Sequence, residues 1–211
     1  MNLDPRLLED RIRYRWFWAV RREFARRAME FAGKPIVYVE VGCWYGASAW
    51  WVCENVLTHP DARGYGIDPY GPEVKHDSRY MRGVRRFAAR LLKGKPWHWI
   101  YHPSVNGLRS LMPYDDGIDL LYLDGLHTAS GVLQDWCAAW PLLKVGSGVI
   151  LDDYFWGRRK PHAGVAEAVE AIKMTFGGMV EPWGKVRGTP FQYGFKVVSK
   201  DHFDCKFKVP K

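Results

Sequence analysis

The chain has 211 residues, of which 47% are hydrophobic and 15% aromatic, with a formal charge of +8. That length suits one well-buried domain, 1–211, and is short for two. No apolar run approaches the roughly 18 residues of a membrane span, and residues 1–15 lack the apolar core of a signal peptide, so a cytoplasmic protein with no membrane partner is expected.

The chain opens with "PRLLEDRIRYRWFWAVRREFARRAMEF". Asp4 caps and Pro5 opens a helix, Gly33 closes it, and Leu8, Ile12, Trp16, Val20, Phe24, Ala28 and Phe31 recur at helical spacing. Residues 1–33 thus form an N-terminal helical extension whose arginines make its solvated face. A basic surface also suits an acidic partner such as nucleic acid. Four cysteines, Cys43, Cys53, Cys137 and Cys205, show no CxxC pairing and are expected to be buried thiols.

Beyond residue 33 strands and helices alternate. "PIVYVEVG", "GYGID", "WHWIYH", "GIDLLYLD" and "SGVILDD" read as strands; "ASAWWVCENVL", "SRYMRGVRRFAARLLK", a short turn near Leu108, "ASGVLQDWCAAWPLL" and "AGVAEAVEAIKMTF" read as helices. Such alternation predicts an α/β fold with a parallel sheet covered on both faces, whose ligands gather at the C-terminal ends of the strands. "MVEPWGKV" and "PFQYGFKVV" read as two consecutive strands adding an antiparallel edge.

Three features mark that rim. "EVGCWYGAS" sets Glu40, Gly42 and Gly46 in a strand-to-helix turn, where glycines admit a ligand close to the backbone. "GYGIDPY" sets Asp68 at the next strand tip, about 20 residues on, the position of an acid that accepts ribose hydroxyls. The dinucleotide fingerprint fails, because Trp44 and Ala47 stand where its second and third glycines belong. Glu40 repels phosphate but suits a free ammonium group, which points to S-adenosylmethionine. The third feature is a set of carboxylates: Asp124 ends one strand, and Asp152 and Asp153 end its expected neighbour about 4.8 Å away. Crowded acids of this kind suit a hard divalent cation, Mg²⁺ by default.

"VEVGCWYGAS", "GIDPY" and "IDLLYLDGLH…LKVGSGVILDDY" resemble the successive motifs of class I S-adenosylmethionine-dependent methyltransferases, and among them the metal-dependent O-methyltransferases of the catechol and macrocin (antibiotic-sugar) types. The resemblance covers about residues 35–176. It implies a Rossmann-like, seven-stranded, mostly parallel sheet with helices on both faces and an antiparallel C-terminal strand. It also implies that Glu40 and Gly42 line the methionine part of the cofactor, Ser48 meets its carboxylate, Asp68 holds the ribose and Ser104 meets adenine. Trp44 and Gly46 belong to the same cofactor turn, and Asp124 borders both cofactor and metal.

His127 stands where the catechol type carries a lysine, and Leu126 where antibiotic-sugar relatives carry an acid. An imidazole there is expected to act as general base on a metal-activated hydroxyl, with a second role beside the metal left open. The expected function is O-methyl transfer to a phenol or sugar. The rival is an RNA methyltransferase using the basic surface; against it, no "PPY"-type motif follows the fourth strand. Tyr154, Phe155 and Trp156 would wall the acceptor, with Arg158, Arg159 and His162 beside them. Homo-oligomerisation stays open.

Overall fold

The computed structural model describes residues 15–71, 78–112, 117–155, 164–184 and 191–200. Helix α1 (Arg15–Ala28) leads through a 3₁₀ turn (Met29–Phe31) into β1 (Val37–Val41). There follow α2 (Ala47–Asn55), β2 (Arg63–Ile67), α3 (Ser78–Leu91), β3 (Trp97–Ile100), α4 (Ser104–Ser110), β4 (Ile118–Leu123) and α5 (Ala129–Ala139). The chain then runs through a second 3₁₀ turn (Trp140–Leu142), β5 (Leu143–Leu151), α6 (Val165–Thr175), β6 (Val180–Pro182) and β7 (Tyr193–Val197).

The seven strands take the order β3-β2-β1-β4-β5-β7-β6. The first five are parallel, and β7 enters antiparallel between β5 and β6. Alternation along each strand decides the two cores. Tyr38, Leu120, Tyr122 and Ile150 face a layer that includes Phe24, Trp51 and Trp97. Val39, Val41, Leu121, Leu123, Val149 and Leu151 face the layer of Trp136, Val169 and Ile172. Both faces are apolar because both are covered, as a parallel sheet requires. Strand order reverses between β1 and β4, the switch point where such sheets leave a crevice.

The N-terminal helix is in the core and buries the expected Val20, Phe24, Ala28 and Phe31, with Phe17 in the place expected of Trp16. Phe17, Val20, Phe24, Ala28 and Phe31 are buried, whereas Trp16 is 66% exposed. Both 16→20 and 17→20 satisfy helical spacing, and packing chooses the second: the Phe17 ring lies against Phe24 and Trp51. The arginine face is also not wholly solvated. Arg27 is buried and donates its Nε to the Trp183 carbonyl at 3.0 Å, while Trp183 Nε1 donates to Glu30 at 2.8 Å. Helix α1 is thereby latched to the β6–β7 edge. Gly33 closes the turn at φ 72° as expected, and Asp4, Pro5, Leu8 and Ile12 lie outside the described residues.

Cys43 and Cys53 are buried free thiols, Cys137 faces outward against expectation, and Cys205 lies outside the described residues. Among the described residues no helix is long and apolar enough to cross a membrane.

Phe24 is fully buried, with its ring 4.8 Å from that of Tyr122 and 5.7 Å from that of Trp51. Phe24→Ala is expected to lower stability by about 3–5 kcal/mol in urea denaturation. A loss below about 1 kcal/mol would show that α1 is an appendage and not part of the core.

Candidate active site

Four residues, each one step beyond a strand end, continue the sheet's hydrogen bonding. Gly42 N donates to Ile67 O (2.9 Å), Asp68 N to Ile100 O (3.2 Å), Asp124 N to Val41 O (2.8 Å) and Asp152 N to Leu123 O (3.0 Å). The parallel register therefore aligns the glycine turn and three acids along one rim. β4 and β5 are neighbours as expected, with Leu123 paired to Leu151.

The β1–α2 turn has little freedom. Gly42 sits at φ 82°, and a Cβ there would lie 2.1 Å from the Asp124 carbonyl oxygen, so the turn after β1 rests directly on the turn after β4. Gly46 caps α2 at φ 79°. Among the described residues three non-glycines have positive φ, Trp44 (46°), Tyr70 (46°) and Asp153 (53°), and all three lie on this rim. Strained backbone concentrates at functional sites, where surrounding bonds enforce it. For Trp44 and Tyr70, Asp68 supplies that enforcement. Its Oδ2 accepts Cys43 N and Trp44 N at 3.0 Å, its Oδ1 accepts Tyr70 N at 2.9 Å, and the Tyr70 hydroxyl donates to Trp44 O at 2.6 Å. The expected ribose acid is thus also the brace of the cofactor turn. Burial raises its pKa, while the three backbone donors oppose the rise.

Glu40 lies under that turn, fully buried, with Tyr38 Oη donating at 2.7 Å and Ser48 Oγ at 2.6 Å. Burial pushes its carboxyl up to about 7 despite both donors. Ser48, expected to meet a cofactor carboxylate, is itself buried and gives its proton to Glu40. Ser104 begins α4 and its side chain bonds to Asp135 on α5.

Of the expected metal ligands Asp124, Asp152 and Asp153, the structure brings Asp124 and Asp153 together with His127 in a group that could hold a metal ion. Ligand atoms of Asp124, His127 and Asp153 all lie within 4.8 Å of one another, and His127 Nδ1 is 3.3 Å from Asp153 Oδ2. Asp152 stands behind them, its Oδ1 accepting Gln192 Nε2 at 2.8 Å and its carboxylate also bonded by Tyr122. Consecutive residues at a strand end send their side chains to opposite sides, and the left-handed turn at Asp153 completes the separation. Asp152 still lies close enough to Asp124 for its charge to act on that carboxyl. Burial, then the charges of Asp152, Asp153 and Glu40, push Asp124 well above the carboxylate range. Burial takes Asp152 to about 6.

Sequence reasoning did not identify four of these partners. Tyr38 and Tyr122 each precede a rim acid by two residues, on the same strand face, and that pattern was readable. Asp135 is an acid amid apolar helix residues, a weaker signal. Gln192 gave none, because only the antiparallel return of β7 brings it to Asp152. Of the expected acceptor walls, Tyr154 is buried and packs on Phe155 and Tyr193. Trp156, Arg158, Arg159 and His162 lie outside the described residues.

A methyltransferase-domain family model matches residues 39–154, from β1 through the rim acids, and the chain belongs to that family. The O-methyltransferase TomG from Streptomyces achromogenes, involved in tomaymycin synthesis and solved with SAM, is 19% identical, with 94% of this chain and 92% of that one covered at a TM-score of 0.67. The O-methyltransferase NovP is 19% identical, covering 85% and 80% at 0.60. An rRNA methylase from Streptococcus thermophilus is 11% identical, covering 85% and 97% at 0.58. These likenesses establish the expected Rossmann-like methyltransferase fold. No curated protein matches the chain.

The raised carboxyl pKa of Glu40 has a thermodynamic consequence. A folded-state pKa of about 7, above the ordinary 4.5, means the native state binds the proton more tightly than the unfolded chain. Its contribution is therefore most favourable at low pH and is lost as pH rises through that window. Glu40→Gln removes the titration, so its stability relative to the wild type should improve between pH 4.5 and about 7. The gain should approach about 1.4 kcal/mol per pH unit at most, read by urea denaturation of the ligand-free protein. A difference that does not vary with pH would mean that Glu40 is already ionised in the fold.

Proposed function

We propose that the protein moves a methyl group from S-adenosylmethionine to a hydroxyl of a small molecule, a phenol or a sugar, with a divalent cation at Asp124 and Asp153. The observation that carries this reading is the convergence of Asp124, His127 and Asp153 beside the Gly42 turn. Two carboxylates with an imidazole beside them suit a hard divalent cation and a base for its ligand's proton, and the raised pKa of Asp124 records a site short of positive charge. Mg²⁺ held there would supply Lewis acidity that lowers the pKa of an acceptor hydroxyl.

The chain's own residues divide the remaining work. Glu40 offers negative charge to the cofactor's ammonium, with Ser48 acting through it. Gly42, Trp44 and Gly46 shape the turn over the methionine part, Asp68 receives the ribose through Oδ1, and Ser104 meets the adenine. His127 turns Nδ1 to Asp153, and Nε2 takes the acceptor proton. The likeness to the O-methyltransferases TomG, solved with SAM, and NovP supports this reading. A cytoplasmic setting suits the free thiols Cys43, Cys53 and Cys137.

A second reading, methylation of RNA, is favoured by one feature: Arg79, Arg82, Arg86 and Arg90 are all exposed on α3 at helical spacing. The fold shared with an rRNA methylase is compatible with it. RNA binding that weakens steeply with salt, together with methyl incorporation into RNA, would favour this reading over the first.

On an acceptor identified by a methyl-transfer screen over phenols and glycosides, chelation is expected to abolish turnover and Mg²⁺ to restore it. Asp124→Asn and Asp153→Asn should do the same while calorimetry shows S-adenosylmethionine binding nearly intact. His127→Ala as a lost base should cost about 10²- to 10⁴-fold in rate at unchanged Mg²⁺ affinity. A loss rescued by higher Mg²⁺ would make His127 a ligand instead, and full turnover in chelator would remove the metal from the mechanism.

A further inference from the structure

Helix α3 and the outermost strand β3 form a surface that the proposed small-molecule methyl transfer does not use. Arg79, Arg82, Arg85, Arg86 and Arg90 are all exposed on α3, and residues 78–91 contain no acid. Among the described residues Arg82, Arg85, Arg86 and Arg90 have no carboxylate partner; Arg82 reaches the Ser78 hydroxyl at 3.4 Å. The net charge of the whole chain is +8, so one helix holds a large share of the excess. Unpaired cations set along about 20 Å of helix attract an anion of similar length.

Beside these charges lies a stack of flat groups. Arg85 Cζ sits 3.6 Å over the Tyr101 ring, and Tyr101 is nearly parallel to Trp99, with an interplanar angle of 9° and centroids 6.1 Å apart. Tyr70 braces both rings edge-on, 5.9 Å from Trp99 and 6.2 Å from Tyr101, and is itself fixed by its bonds to Asp68 and Trp44. Because β3 is at the edge of the sheet, Trp99 and Tyr101 stay half-buried, and Arg85 is exposed. A guanidinium held against a ring keeps its other face for a second flat group, and nucleobases stack on guanidinium planes as they do on aromatic rings.

These features discriminate among anions. A lipid surface would need an apolar side of α3 to enter it, but Met81, Val84, Ala88 and Leu91 are all buried in the core. A nucleic-acid duplex would satisfy the arginines and leave the stack without an unpaired base. We infer that α3 with the Trp99–Tyr101 edge is a binding surface for a single-stranded polynucleotide, with Arg82, Arg86 and Arg90 on its phosphates and Arg85, backed by Tyr101, on a base. RNA and DNA strands share this chemistry. The inference goes beyond the methyl-transfer reading and holds whether or not the strand carries the acceptor.

The test is fluorescence anisotropy of the full chain, without cofactor, on labelled oligo(U) and oligo(dT) of about 12 nucleotides and on an RNA duplex of equal length. Both single strands are expected to bind at low salt and more tightly than the duplex, and the tighter of the two names RNA or DNA as the source. The logarithm of their binding constant should fall with that of salt at a slope of about −2, as for three phosphate contacts. Arg82→Gln, Arg86→Gln and Arg90→Gln combined should bring that slope near zero and lower affinity at least about tenfold. Arg85→Lys keeps the charge and loses the flat fork, so it should weaken single strands by about fivefold with the slope and duplex binding unchanged. Both changes are on the exposed face of α3 and leave its buried stripe intact. Full affinity in the triple variant, no effect of Arg85→Lys, or a duplex bound as tightly as the single strands would overturn the inference. So would binding to phosphatidylserine vesicles in place of the oligonucleotides, or binding to neither. The cofactor is absent from this measurement, so its failure leaves the small-molecule methyl-transfer reading in place.

Discussion

The rim is dominated by carboxyl groups crowded into a half-buried place. Glu40, Asp124, Asp152 and Asp153 lie close enough for each other's charge to raise the pKa of Asp124, and two of them, Glu40 and Asp152, are buried. Burying one unpaired carboxylate is expensive, and burying several together more so. The surrounding structure works against that cost one acid at a time: Tyr38 and Ser48 hydrogen-bond Glu40, Tyr122 and Gln192 hydrogen-bond Asp152, and His127 lies against Asp153. Asp124 has for company the carboxyls of Asp152, Asp153 and Glu40, like charges and not a countercharge. Perturbation of this kind, from burial together with specific charges at the mouth of a crevice, is the pattern expected of a working site.

Register is what brings these groups together. Because β1, β2, β4 and β5 are parallel and their ladders run one residue past the formal strand ends, residues 42, 68, 124 and 152 form a line. A slip of one residue in β4 would turn Asp124 to the opposite face and expose Leu123. The buried alternation on both faces of β4 prevents that slip, so the hydrophobic pattern that builds the core also fixes the chemistry of the rim.

This explains what was legible in the sequence. The order of strands and helices, the glycine turn and the three rim acids could be read because each depends on local pattern: apolar runs, a turn needing positive φ, an acid at a strand tip. That His127, and not Asp152, lies with Asp124 and Asp153 could not, because "DGLH" and "DDY" do not say which way Asp153 turns. Its φ of 53° is not announced by any local pattern. The register of α1 was ambiguous for a similar reason. Trp16 and Phe17 both fit a helical stripe, and the rings of Phe24 and Trp51 decide between them. Arg27 looked like a surface charge, and only the carbonyl of Trp183, 156 positions further along the chain, makes it an interior one.

The same long-range contacts tie the N-terminal helix to the reaction side of the molecule. Glu23 on α1 accepts the backbone N–H of Gln192 at 3.2 Å, Gln192 donates its amide to Asp152 at 2.8 Å, and Asp152 meets Asp124. Gln192 is fully buried, and its Oε1 is without a hydrogen-bond partner among the described residues. The Nε2 of that amide holds the carboxylate behind Asp124. Antiparallel β7 differs from the parallel strands in that it brings its N-terminal end, not its C-terminal end, to this rim. Inserting it beside β5 therefore delivers Gln192 to Asp152 from a direction that no parallel strand offers. Helix α1 in turn holds the start of β7 in place, so a segment that reads in sequence as an extension belongs to the support of the site.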